Sequence, residues 1–395
     1  MGDRNRIPAG VWALGFVSML MDISSEMIHS LLPLYLTVGL GASALTVGII
    51  EGIAESTALI VKVFSGALSD RWRKRKSITA FGYGLAALSK PLFALATGPW
   101  LVFTARFLDR IGKGIRGAPR DALIADLTPK ELRGAAFGLR QSLDTVGAFA
   151  GPLLAMALML AWDDNFRAVF WVAVIPAALS FALILFAVRE PPVVGNDKAD
   201  KVKLERATLK KLGVAFWAVT AAGAALTLAR FSEAFLILRA QDLGLAVALA
   251  PLVLVGMNVV YAATAYPVGK LADRMRPAVL LYAGIAMLIA ADIVLAMADG
   301  MVMLGAGIAL WGLHMGFTQG LLSAMIAHAS PPQLRGTAFG AFNLASGIAM
   351  LAASALAGAL WQFVGPDATF WSGAVLAGIS GLLAWSTLKS WNKPK

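Results

Sequence analysis

The chain contains no cysteine. That excludes disulfides and thiolate metal sites. Charge is also scarce: 14% of the residues are Asp, Glu, Lys or Arg, where a water-soluble domain carries about 25%. No Gly-x-x-x-x-Gly-Lys-Ser/Thr phosphate loop occurs, which argues against direct use of ATP. Long polar loops are missing too. The longest hydrophilic stretch runs over about 189–212, so a loop-borne active site has almost nowhere to sit.

What fills the chain is apolar. Of its 395 residues 58% are hydrophobic, and the mean hydropathy is +0.74. Runs of roughly 20 apolar residues recur along nearly the whole length, and each can cross the hydrocarbon core as a helix. Twelve spans are expected, at 10–36, 45–69, 77–97, 99–126, 133–161, 166–188, 213–240, 247–271, 277–298, 301–328, 333–362 and 368–388. The first run is too long for a signal-peptide core and has no obvious cleavage site, so it is read as a retained helix.

The net charge of +11 invites a nucleic-acid reading, but its distribution points elsewhere. Basic residues gather where even-numbered spans end, as in Arg71–Lys76, Lys130 and Arg133, Lys198–Lys211, Arg274 and Arg276, and Arg335. The odd-numbered exits are neutral or acidic, for example Asp163-Asp164 and Asp299-Gly300. By the positive-inside rule both termini are expected in the cytoplasm. The stretch at 190–212 reads as a cytoplasmic linker between a six-helix bundle at 1–189 and a second at 213–395. The halves match internally. Pro129-Lys-Glu-Leu-Arg133-Gly-Ala-Ala-Phe-Gly138 aligns with Pro331-Pro-Gln-Leu-Arg335-Gly-Thr-Ala-Phe-Gly340. Asp70 and Asp273 pair at nearly the same offset. Internal repeats of this kind are how secondary transporters are built.

Charges inside the spans say where water reaches, because an ionisable group in hydrocarbon is costly unless it is paired or wetted. In span 1, Asp22, Glu26 and His29 share one helical stripe with Ser18 and Ser25 beside them. Span 2 places Glu51, Glu55 and Lys62 on another. Span 4 gathers Arg106, Asp109, Arg110 and Lys113 within about a third of its circumference, and span 5 sets Arg140 four residues before Asp144. A structural reading pairs Glu55 with Lys62, Asp109 with Lys113 and Arg140 with Asp144, pinning helices. A functional reading makes the whole set a titrating chamber. The second half offers Arg230 and Glu233, Asn258, Tyr261, Asp292, His314, Gln319 and Asn343, with Trp311 and Phe317 as an apolar wall.

The phrase Gly66-Ala-Leu-Ser-Asp70-Arg71, echoed by Gly269-Lys-Leu-Ala-Asp273-Arg274, resembles the signature between helices 2 and 3 of the major facilitator superfamily. Gly138, Gly147, Gly151 and Pro152 in span 5 resemble the antiporter signature of that superfamily's drug-efflux members. Here Ala155-Met156 stand where two closing glycines are usual. Arg110-Ile-Gly-Lys-Gly114 resembles its helix 4 signature. The resemblance implies an all-α membrane fold of twelve transmembrane helices in two six-helix bundles. It also implies pseudo-twofold symmetry about the membrane normal, with spans 1, 4, 7 and 10 around a cavity. It implies a role in proton transfer for Arg110, and a latch at Gly66, Asp70, Arg71, Asp273 and Arg274. Gly112-Lys-Gly114-Ile-Arg-Gly117 also fits Gly-x-Gly-x-x-Gly, but a dinucleotide site needs a strand before it. Inside a helical span these glycines read as contact points.

The expected function is export of a small organic solute by proton antiport across a bacterial inner membrane, by alternating access. Asp22, Glu26, Glu51, Glu55, Arg110 and Asp144 are expected to handle the proton. His29, Arg106, Lys113, Arg140, Arg230, Glu233, Trp311 and His314 are expected to meet the solute. The alternatives are uptake of an anionic metabolite or metal chelate on the basic residues of spans 4 and 5, and divalent-metal export through Asp22, Glu26 and His29. A membrane transferase would have only Asp163-Asp164 as an acid pair at the interface, and a non-transporting receptor would show no solute-dependent proton flux. No cofactor beyond the proton gradient, no nucleic-acid partner and a monomer in the lipid bilayer are expected.

Overall fold

The computed structural model describes residues 7–72, 74–190, 212–272, 274–331 and 334–387, with the side chains at 67, 70, 71, 130 and 387 outside that description. Twelve helices follow the twelve apolar runs, and no strand occurs among the described residues. The first six are α1 Ala9–His29, α2 Ala44–Trp72, α3 Arg75–Leu95, α4 Pro99–Leu127, α5 Arg133–Ala161 and α6 Phe166–Ala187. The second six are α7 Gly213–Ala229, α8 Pro251–Ala272, α9 Pro277–Ala296, α10 Met301–Ala329, α11 Arg335–Phe363 and α12 Pro366–Thr387.

Among the described residues, eleven candidate spans are long and apolar enough to cross a membrane. α4 falls short because Arg106, Asp109, Arg110, Lys113, Arg116, Arg120 and Asp121 all lie within it. Helix starts follow local chemistry. Proline opens α4 and α9, where its missing N–H would have had no partner. Asp163 and Asp164 take left-handed backbone, φ 46° and 60°, in the turn before α6. Asn165 then caps α6, accepting from the Ala168 amide at 3.1 Å. The acid pair at 163–164 is thus part of a tight turn. α5 runs through Pro152 without interruption.

Two other helices do break. α1 stops at His29 and resumes at Leu32–Leu34, then loosens into a π turn at Tyr35–Gly39. α7 stops at Ala229 and resumes as Ala234–Asp242. The repeat in the sequence places these interruptions at matching positions of its two halves.

The chain forms two compact units, Met1–Leu40 with Thr57–Lys201, and Gly41–Ser56 with Val202–Lys395. The division falls inside α2. In the first unit α3 packs on α4, α1 on α5 and α6, and α3 on α6. The second unit repeats the scheme: α9 on α10, α7 on α11 and α12, and α9 on α12. Each unit also ties off its third helix alike. In the first, the Tyr35 hydroxyl donates to the Ala96 carbonyl at 2.7 Å and Arg167 Nη2 donates to the same oxygen at 2.9 Å. In the second, Arg239 donates to the carbonyls of Leu295, Ala296 and Ala298 at 3.1, 3.2 and 3.0 Å. Both satisfy helix C-terminal carbonyls that lack intrahelical donors.

Candidate functional site

The sequence gives α1 and α5 faces that can touch, and the structure brings them together. Gly147 and Gly151 are four residues apart on α5, opposite Asp22 and Glu26, four apart on α1. A Cβ on Gly147 would sit 2.7 Å from the Met19 carbonyl and 2.9 Å from Asp22 Cβ; one on Gly151 would sit 2.7 Å from the Ile23 carbonyl and 2.8 Å from Glu26 Cβ. Without hydrophobic drive between helices in lipid, such small-residue contacts are what draws them together. Gly138 has open space around it. Within the antiporter-type motif, then, Gly147 and Gly151 make the contact and Gly138 does not.

Glu26 carries His29 beside it, Oε2 to Nδ1 at 3.5 Å, with both side chains partly accessible. Asp22 is half-buried. Behind them lies a buried charge cluster. Asp109 of α4 accepts from Lys90 of α3 at 2.8 Å, and Lys90 also donates to Ser25 of α1 at 2.9 Å. Arg110 Nε lies 3.3 Å from the other Asp109 oxygen. The structural reading of the spans pairs Asp109 with Lys113; the partners of Asp109 are instead Lys90 and Arg110, because α3 delivers a cation from the other side. Lys113 is exposed.

A second polar cluster lies farther along α4. Ser18 and Tyr83 share a hydrogen bond of 3.0 Å, Arg120 donates to Ser18, and Arg116 stands over the Tyr83 ring at 4.8 Å. Arg120 Nη2 lies 3.1 Å from Asp121. Arg140 of α5 bridges Asp144 at 2.9 Å and Asp121 at 3.8 Å. The expected Arg140–Asp144 pair is thus present, inside a larger set. Lys90, Arg116, Arg120, Asp121 and Tyr83 complete the layer, and sequence reasoning missed all five. Lys90 and Tyr83 stand singly in the apolar run of span 3, and Arg116, Arg120 and Asp121 read as the cytoplasmic end of span 4.

The Gly-x-Gly-x-x-Gly run is a set of helix contacts. A Cβ on Gly112 would meet the Gly82 carbonyl of α3 at 2.6 Å, and one on Gly114 would meet Val61 Cβ of α2 at 2.7 Å. Ser65 of α2 donates to the Gly114 carbonyl at 2.8 Å.

In the second unit, Glu51, fully buried, and Glu55 occupy the stretch of α2 that belongs with it. Beside them Gly52 lies against Leu351 of α11, 3.2 Å from the position of a Cβ to the Leu351 Cα. Arg230 and Glu233 flank the interruption of α7 and are half-buried. Trp311 is fully buried against Phe231, ring centroids 5.3 Å apart, so it belongs to an aromatic core with Phe370 and Phe235 rather than to an open wall. His314 is equally buried, its Nδ1 3.0 Å from the Gly284 carbonyl.

Of the latch residues, Gly66 leans on Ala118 of α4 and Arg274 is exposed in the turn after α8. Asp273 and the side chains of Asp70 and Arg71 lie outside the described residues. Among the described residues no group of three His, Asp or Glu side chains is arranged to hold a metal ion. Asp22, Glu26 and His29 therefore do not form the ligand set that divalent-metal export would need.

Known proteins bear on this arrangement. The sequence profile of the Major Facilitator Superfamily matches residues 14–238 and 214–394. An uncharacterised MFS-type transporter of Methanocaldococcus jannaschii, MJ1317, is 34% identical over 382 residues, covering 94% of this chain and 93% of the relative. The multidrug resistance protein MdtH of Photorhabdus laumondii is 31% identical over 183 residues, 46% of this chain and 45% of its own. Among solved structures, the nucleoside transporter NupG superposes with TM-score 0.74 at 15% identity, covering 98% of this chain and all of its own. A bacterial homologue of the human lysosomal transporter Spinster, inward-facing and unoccupied, superposes with TM-score 0.74 at 16% identity, covering 98% of each chain.

Proposed function

The chain belongs to the major facilitator superfamily, and from that premise we propose that it exports a small organic solute in exchange for protons. It is a multi-pass membrane transporter, not an enzyme. In this reading it works as a monomer in a bacterial inner membrane with both termini in the cytoplasm.

The observation that carries the reading is the seating of Asp22 and Glu26 beneath Gly147 and Gly151. Two carboxylates sit on a backbone-to-backbone helix contact, so gaining or losing a proton there acts on how α1 and α5 fit. A carboxylate left charged in hydrocarbon is costly; a protonated one costs far less. Protonation thus favours a dry, closed contact and ionisation a wetted one, which is the alternation an antiporter needs. Arg110, fixed on Asp109, supplies a positive field from α4, and Arg140 does the same for Asp144. The name of the MdtH relative favours export.

A second reading is favoured by one feature. α4 carries Arg106, Arg110, Lys113, Arg116 and Arg120 against Asp109, Asp121 and Asp126 over the same helix. A net positive layer suits an anionic solute. A thermal-shift screen of the purified protein against metabolites, drugs and chelates tests both, because stabilisation grows with ligand concentration over affinity. Cationic or neutral drugs as hits support export of such solutes. Anions alone as hits support the second reading. Solute-driven proton movement in proteoliposomes then decides the coupling, and its absence for every hit would overturn the proposal.

A further inference from the structure

Asp292 of α9 is fully buried, and neither carboxyl oxygen has a hydrogen-bond partner. It lies against Gly373 of α12. The place where a Gly373 Cβ would stand is 2.5 Å from Asp292 Oδ2 and 3.0 Å from Phe231 Cε1. Phe231 is in the interruption of α7. The carboxyl group therefore meets the broken segment of α7 over a glycine that leaves room for both.

The break itself has a traceable cause. In a continuous helix the amides of Ser232, Ala234 and Phe235 would donate to the carbonyls of Leu228, Arg230 and Phe231. Here Ser232 N donates to Ser354 Oγ of α11, Ala234 N to Ser232 Oγ, and Phe235 N to the Ser232 carbonyl. The amides are taken up elsewhere, so α7 is held open by a few side-chain bonds beside an acid that has none. Interrupted helices next to a buried ionisable group are where membrane transporters place ions.

We propose that Asp292 is a second, exchangeable proton site, and that its protonation state sets the angle between the two pieces of α7. With the proton on, the carboxyl tolerates its apolar seat against Phe231. When the proton leaves to water, the carboxylate demands donors or solvent, and the lightly held break of α7 is the element able to yield them. The charged and titratable groups on the neighbouring elements do not supply this role. His314 of α10 faces the Gly284 carbonyl two turns away along α9. Arg239 is held by the carbonyls at the end of α9 and by Asp242 and by Asp367 of α12. Arg230 and Glu233 flank the break and are expected to meet the solute. The proposal deepens the proton-coupling reading by adding a site in the second unit, but its test needs no solute.

The chain has no cysteine, so cysteines at exposed Val214 and Gln241 can carry the only spin labels, one on each piece of α7. Pulsed electron resonance of the protein in nanodiscs would read their separation between about pH 5 and 8, where buried acids can exchange protons. The expected result is a separation that shifts with pH, is fixed at its low-pH value in Asp292→Asn, and shifts again in Asp292→Glu. In Glu26→Gln the shift should persist, which distinguishes failure here from failure of the first-unit acids. An unchanged pH response in Asp292→Asn, or none in the parent, would overturn the proposal. Should Asp292→Asn fail to fold, infrared difference spectra of the parent and Asp292→Glu are read. A protonated-carboxyl band that loses intensity with rising pH, and moves in Asp292→Glu, supports it. A band that never titrates refutes it.

Discussion

Lys90 on α3 and Asp109 on α4 form an ion pair of 2.8 Å with side chains only 1% and 3% exposed. Each is the other's main compensation, and Ser25 and Arg110 complete the set. Breaking a buried pair from one side leaves a naked charge, at a cost of about 3–5 kcal/mol. Lys90→Met and Asp109→Asn should each lower the detergent melting temperature sharply. The double variant should recover much of the loss. Additive losses in the double variant would mean that the two residues act separately.

The α1–α5 contact gives a second expectation. Gly151→Val and Gly147→Leu put side chains where backbone atoms of α1 already stand. Overpacking of this kind costs about 1–3 kcal/mol, and transport should fall further than stability because the acids are displaced. Gly138→Ala, with open space around it, should leave melting and transport within error or slightly raise stability. Equal loss in all three would remove the special role of the pair.

Arg239 and Asp367 make a third test, though they are bonded to each other at 2.7 Å. Arg239 is buried and closes three carbonyls at the end of α9, whereas the Asp367 side chain is 61% exposed. Arg239→Leu should cost about 2 kcal/mol or more, and Asp367→Asn less than about 1 kcal/mol. Melting curves would show the difference directly.

Ser354 holds the α7 interruption by accepting from the Ser232 amide at 3.2 Å. Ser354→Ala leaves that buried amide without its partner, a loss of about 1–3 kcal/mol. Faster hydrogen exchange at residues 230–235 than in the parent is the expected outcome. Unchanged exchange would mean that the break is fixed by something other than this bond.

Much of the fold was legible because hydrocarbon imposes a simple rule: helices must be long and apolar, and basic loops sit between them. The run 133–161 matches α5 at both ends. What the pattern hides is interruption. Span 7 reads as one run from 213 to 240, yet it breaks at Arg230–Glu233 because Ser354, more than a hundred residues on, takes an amide from it. The charged pair was the local sign. Site residues were legible where they formed stripes, as Asp22 and Glu26 do. A single lysine such as Lys90 has no periodicity to betray it, and its partner on α4 is known only once α3 and α4 are packed. Trp311 shows the converse: an aromatic in span 10 looks ready for a solute until Phe231 covers it.

In the proposed mechanism, first-unit acids, steadied by Arg110, couple proton movement to solute. Proteoliposomes loaded with a pH-sensitive dye, given a solute found by thermal shift, measure this directly. Solute-driven proton flux is expected in the parent, with its loss in Glu26→Gln at unchanged melting temperature and in Arg110→Ala reconstituted as folded protein, the latter melting lower because Asp109 loses a buried partner. Full flux in both variants would contradict the mechanism.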